Sequence, residues 1–146
     1  MSADAGRPDG DVYDWYVRGL ALLNDGHAGA AEQLLLRAHE AEPDARNILE
    51  ALARARLSTR QYEQARADFA QLVDAQPDDD YARLGLGLAL ARIGRFEEAA
   101  EQLSLAVAMR PDRADYEAQL HQVRATLKAR QAPTQTPMQT PSEGND

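Results

Sequence analysis

Pro43, Pro77 and Pro111 are equally spaced, and the rest of the chain keeps the same period. Twelve residues before each proline is an alanine (Ala31, Ala65, Ala99), and eight before each is a bulky apolar residue (Leu35, Phe69, Leu103). A period of this length, held at three positions in three copies, predicts a stack of similar supersecondary units, each burying its apolar face against the next. A stack of this kind presents an extended surface, so the pattern points to binding and not to a reaction.

Within each period the apolar residues recur at i, i+3, i+4 and i+7, which predicts two amphipathic helices per unit and no strands. The first unit spans residues 12–45. Trp15, Gly19 and Leu22 share one face of its first helix, and Ala31, Leu34, Leu35 and Ala38 share one face of its second, with a turn at Asn24, Asp25 and Gly26. Residues 46–79 repeat this with Leu49, Leu52 and Ala53, then Ala65, Phe69 and Leu72. Residues 80–113 repeat it again with Leu86, Gly87 and Leu90, then Ala99, Leu103 and Ala106. Small residues at Gly19, Ala53 and Gly87 let paired helices approach closely. Each proline ends a helix and is followed by an aspartate (Asp44, Asp78, Asp112), which offers the next helix an N-cap within two residues.

Residues 114–130, with Tyr116, Leu120, Val123 and Leu127 on one side, form a last amphipathic helix that caps the open end of the stack. Residues 131–146 are rich in Pro, Thr and Gln and too poor in apolar side chains to offset the entropy of folding, and disorder is expected there and in residues 1–11. Thr136-Pro137 and Thr140-Pro141 are candidate sites for a proline-directed kinase or for docking as an extended segment.

Composition narrows the function. A net charge of −8 argues against nucleic acid and anionic membranes as partners, since both need clustered positive charge. With no cysteine there is no disulfide framework and no thiolate metal site, which fits a reducing compartment, and cytoplasmic localisation is expected. The first residues lack the basic start and apolar run of a secretory signal, and no stretch approaches a membrane span.

The run of Trp15, Gly19 and Leu22, continued by Ala31, Leu35, Ala38 and Pro43, resembles the tetratricopeptide repeat, a helix-turn-helix unit of the same length. Tyr62-Glu63-x-Ala65 and Phe96-Glu97-x-Ala99 resemble that family's second-helix opening. Arg18 and Arg56 depart from it where apolar or aromatic residues are usual, as does Ala28-Gly29, and these departures mark the first unit as the looser end. The resemblance covers residues 12–130. It implies an all-α, right-handed superhelical solenoid of three units with a C-terminal cap, whose first helices line a concave groove for a peptide or partner protein. The positions where some members clamp a chaperone's C-terminal carboxylate carry Tyr16, Leu20, Ala51, Tyr81 and Gly85, so that function is not implied.

Spacing populates the groove. The first helix contributes Tyr13, Tyr16, Leu20 and Leu23; the second unit Asn47, Glu50, Arg54 and Leu57; the third Tyr81, Leu84, Leu88 and Ala91. Tyrosine and leucine give large contact area at low entropic cost, so the expected ligand is a protein or peptide with apolar side chains, oriented by Glu50 and Arg54. The expected function is a non-enzymatic adaptor or scaffold. The alternative is a structural module that forms a symmetric homodimer through Tyr13, Tyr16 and Val17.

Nothing assembles a catalytic set. His27, His39 and His121 lack the i,i+4 pairing of a helical zinc site, and Gly85-Leu86-Gly87 has no preceding strand to make it a phosphate loop. Asp78-Asp79-Asp80 lacks the other ligands of a calcium loop, and a helix start favours acidic residues in any case. No cofactor, metal or enzymatic activity is expected.

Overall fold

A computed structural model describes residues 11–132. Seven helices follow in order among those residues: α1 (Val12–Asn24), α2 (Ala28–Ala41), α3 (Arg46–Ser58), α4 (Tyr62–Ala75), α5 (Asp80–Arg92), α6 (Phe96–Met109) and α7 (Ala114–Gln131). No strand occurs among the described residues. Two expected boundaries shift. Asp11 is an ordered N-cap, its carboxylate accepting from the Asp14 N–H at 3.0 Å, and Gln131 is still helical. The disorder expected of residues 1–10 and 133–146 lies outside the described residues.

The tight turns share one geometry. Gly26, Arg60 and Gly94, each one period from the next, all lie in the left-handed region, at φ 89°, 68° and 84°. His27 N–H donates to Leu22 O, Gln61 N–H to Arg56 O and Arg95 N–H to Leu90 O at 2.8–2.9 Å, closing the helix ends in a Schellman arrangement. Arginine fills the middle turn although glycine adopts that conformation more readily.

The capping expectation is corrected. Asp44, Asp78 and Asp112 sit one residue too early, and the N-cap positions are Ala45, Asp79 and Arg113. Of these only Asp79 caps with its side chain, accepting from the Ala82 N–H at 3.0 Å.

Close approach between helices depends on glycine. A Cβ on Gly19 would lie 2.7 Å from Leu35 Cγ, and one on Gly87 would lie 2.7 Å from Leu103 Cγ. Gly85 is tighter still, with a Cβ only 2.3 Å from the Phe69 ring, so it sets the α4–α5 junction. Sequence spacing marks Gly87 for close packing in that segment and does not mark Gly85.

Two apolar clusters result. The smaller joins Ala31 and Leu35 to Ala51, Leu52 and Ala55; the larger runs from Leu49 and Ala53 through Phe69 and Leu103 to Tyr116, Leu120 and Val123. Helix α3 feeds both, so it is buried on two sides and joins the first helix pair to the rest.

Arg56, a departure from the apolar pattern, adds a polar tie at the same place. Its guanidinium donates to both Asp68 oxygens at 3.2 and 2.9 Å and stands 3.7 Å from the Glu32 carboxylate. Glu32 in turn accepts from Gln61 and Thr59. Burial pushes the Asp68 carboxyl above the usual range, while the Arg56 hydrogen bond and charge pull it down. Arg56 therefore links α2, α3 and α4, and does not mark a loose end.

Candidate functional site

Each helix packs on its neighbours in sequence, and the odd helices also touch one another in series: α1 with α3, α3 with α5, α5 with α7. No two even helices touch among the described residues. The odd helices therefore crowd the inside of a curved stack and the even helices splay along its outside, which makes the α1–α3–α5–α7 face the concave one.

The residues expected in the groove divide on that face. Tyr13 is 72% exposed and Asn47 is exposed, whereas Tyr16 and Leu20 pack against the smaller apolar cluster and are half-buried. Leu84 is a correction: at 8% exposure it belongs to the larger core, because it is packed among the neighbouring helices, and it offers no groove surface. Tyr81 is half-buried, its ring edge-on to Phe69 at 6.4 Å, and burial raises its phenol above the usual range.

Glu50 and Arg54 do not form an ion pair within 4 Å. Arg54 reaches Asn24 Oδ1 at 3.5 Å, and Glu50 accepts no hydrogen bond among the described residues. Burial, followed by the nearby Asp79 carboxylate, pushes the Glu50 carboxyl up despite Arg54 and Arg46. Asp79 itself is engaged by Arg46, which also donates to Leu72 O at 3.0 Å.

Leu88 lines a cleft of about 550 Å³. Its lining joins the apolar side chains of Leu57, Leu88, Ala91 and Val123 to the rings of Tyr62 and Phe96. The α7 side adds Gln119, Gln122 and Thr126, and Arg92 also lines the cleft, with its guanidinium 5.5 Å from the centre of the Tyr62 ring. Such a cleft combines apolar surface for side chains with amides able to donate to and accept from a backbone. Sequence reasoning found Leu57, Leu88 and Ala91 but not the aromatic rings or the α7 side. The available signal was Tyr62 and Phe96, which stand one period apart directly after the tight turns.

The other polar clusters serve the fold. Asp79 caps α5 and engages Arg46, and Asp80 accepts from the Tyr116 hydroxyl at 2.6 Å, so two members of the acidic run are already used. His27 and His121 are exposed on different elements and His39 is half-buried on α2. No group of three or more potential metal ligands converges among the described residues. No helix of the described residues is long and apolar enough to cross a membrane.

Residues 50–114 match the family model described as a tetratricopeptide repeat. No curated protein sequence matches the chain significantly. Among solved structures, MamA from Desulfovibrio magneticus superposes with a TM-score of 0.77 at 24% identity, covering 81% of this chain and 67% of that one. The first such domain of human RPAP3 superposes with a TM-score of 0.73 at 16% identity, covering 81% and 93%. The first TPR of Spaghetti (RPAP3) bound to the HSP90 peptide SRMEEVD gives 0.74 at 16% identity, covering 81% and 94%. The matched segment, the period and the all-helical solenoid together give this chain the fold of tetratricopeptide-repeat proteins, with residues 50–114 matching the repeat itself.

Proposed function

We propose that this chain is a protein-binding adaptor that takes an extended peptide segment of a partner into the concave groove, with the Leu57–Leu88–Phe96 cleft as the anchoring point. The units 12–45, 46–79 and 80–113 and the cap 114–130 form the scaffold in this reading. The observation that carries it is the cleft: an apolar lining beside free amides, on the one face where successive helices converge. Buried apolar anchors supply binding energy, and hydrogen bonds from a wall of amides fix an extended backbone. The reading places the chain in the cytoplasm and gives it no catalytic role.

A peptide bound by a related fold does not transfer. The RPAP3 domain is solved with an HSP90 peptide, but here Ala51 is buried and Gly85 lies against Phe69 at positions where a carboxylate clamp would need cations or amides. The proposed ligand is held through apolar side chains instead.

The test is selection of peptides from a random displayed library on the immobilised full chain, with Leu88→Glu in parallel. Peptides enriched by the wild type should be lost on the variant while its helical circular dichroism stays unchanged. Equal retention by both would refute the groove reading.

A homodimer is the second reading, favoured by Tyr13 and Val17, which remain 72% and 42% exposed on α1. Light scattering across a concentration series tests it: a mass that doubles in the wild type but not in Tyr13→Ser supports the dimer, and a constant monomer mass removes it.

A further inference from the structure

The cleft adjoins the point where the chain leaves α7. Arg130, in the last turn of that helix, holds its guanidinium 5.0 Å from the centre of the Phe96 ring, and Phe96 itself lines the cleft. Ala132 is already extended (φ −66°, ψ 144°), and Pro133 has no N–H with which to continue a helix. The α7 residues that line the cleft, Gln119 to Thr126, lie at most about 18 Å back along the helix from Gln131 at the usual rise per residue. Residues 133–146, if extended as polyproline II, span about 43 Å, more than twice that distance.

The chemistry of that segment fits the cleft. Pro133, Pro137 and Pro141 preset an extended backbone that loses little entropy on docking, and proline rings pack on aromatic side chains such as Tyr62 and Phe96. Met138 is its one large apolar side chain and suits the leucine lining. An extended segment brings backbone N–H and C=O groups without internal partners, and the Gln119 and Gln122 side chains make no hydrogen bond among the described residues. The segment's only charged side chains are Glu143 and Asp146, opposite in sign to Arg92, which lines the cleft, and to Arg130, which stacks on Phe96.

We propose that residues 133–146 fold back from the end of α7 and occupy this cleft in cis, so that the chain carries its own competitor for the partner peptide. The proposal rests on the groove reading above for the cleft's role as a binding site. Regulation follows from it, because anything that displaces the segment, including modification of Thr136 or Thr140, frees the cleft.

The absence of cysteine makes the test clean, since Gln139→Cys creates a single thiol for a nitroxide label in the full chain and leaves Met138 in place. The label should broaden the methyl resonances of Leu57, Leu88 and Val123 at least several-fold more than those of Leu105, which is exposed on α6. Ala91→Glu, at a half-buried lining position, should abolish that difference. No selective broadening overturns the proposal. Broadening that appears only when labelled, unenriched chains are mixed with unlabelled, isotope-enriched ones also overturns it, by showing a second copy's segment in the cleft. A synthetic peptide of residues 133–146 that shifts the same methyls without any broadening in cis overturns cis occupancy while leaving the groove reading intact.

Discussion

Replacing Gly85 with alanine tests how the third helix pair is seated on the second. The new Cβ would fall 2.3–2.5 Å from three atoms of the Phe69 ring, more than an ångström inside ordinary contact. Phe69 is completely buried and stands edge-on to Tyr81, so the ring has no free space to take up the shift. Overpacking a filled core costs about 1–3 kcal/mol, and the better helix propensity of alanine returns up to about 1 kcal/mol. An overlap this severe sits at the upper end of that range, so the expected net loss is about 2 kcal/mol, read as a lower urea midpoint at unchanged slope by far-UV circular dichroism. The preceding junction supplies the control: one period earlier the same two positions are Leu35 and Ala51, which share one buried cluster without glycine. Gly85→Ala combined with Phe69→Leu recreates that pair. Phe69→Leu alone should cost roughly 1 kcal/mol for the lost ring volume. The double variant should be less destabilised than the sum of the single ones, by about 1 kcal/mol or more. Strict additivity, or a Gly85→Ala protein as stable as the wild type, would refute the close-approach account.

Three further outcomes are expected. Arg60→Gly should stabilise the protein by up to about 1 kcal/mol, because relief of a left-handed arginine outweighs the added chain entropy; a lower melting temperature would mean that the side chain contributes more than its backbone costs. Asp68→Ala, which leaves the Arg56 guanidinium without its main acceptor, should cost about 2 kcal/mol or more. The joint Arg56→Met, Asp68→Leu protein should cost less than that single change, and the reverse order in urea titrations would dismiss the ion-pair argument. Tyr116 has its proton held by burial and by donation to Asp80, which raises its pKa above the ordinary 10.0, so the folded state binds more protons than the unfolded one at alkaline pH. Its contribution is complete below pH 10 and is lost as pH rises beyond it; Tyr116→Phe should flatten that decline in alkaline melting curves, and an unchanged slope would assign it elsewhere.

What was legible in the sequence was whatever the period enforces. Ala31, Ala65 and Ala99, and Leu35, Phe69 and Leu103, are all fully buried, because each unit must present the same shape to its neighbours. Helix starts at Arg46, Asp80 and Ala114 were readable for the same reason. Features that break the period were misread. Arg56 stands where the units on either side have Leu22 and Leu90, and spacing could not show that Glu32 and Asp68, from two other helices, converge on it. Leu84 lies on the expected groove face of its helix, but α5 is so enclosed by neighbours that the face is core there. The N-caps slipped by one residue because an aspartate after each proline satisfies composition without satisfying geometry.

The same distinction locates specificity. Core positions repeat across the stack, whereas the row of groove positions spaced by one period reads Leu20, Arg54, Leu88 and Gln122. Packing demands a common shape from the first set and less from the second, whose Leu20 and Leu88 are only partly buried against the clusters, so in the proposed groove reading this row is where partner preference would be set. Its leucine at position 88 sits where the row gives way to the amides of α7, and there the cleft opens beside Phe96. Toward the α1 end Arg54 is turned toward Asn24 and Glu50 is left without a hydrogen bond among the described residues. A partner running along the whole row would therefore meet an apolar anchor toward the α7 end and a half-buried carboxylate toward the α1 end. Glu50→Gln should weaken peptides that carry a basic residue at that end and leave purely apolar ones unchanged, and equal loss for both classes would place the carboxylate outside the binding surface.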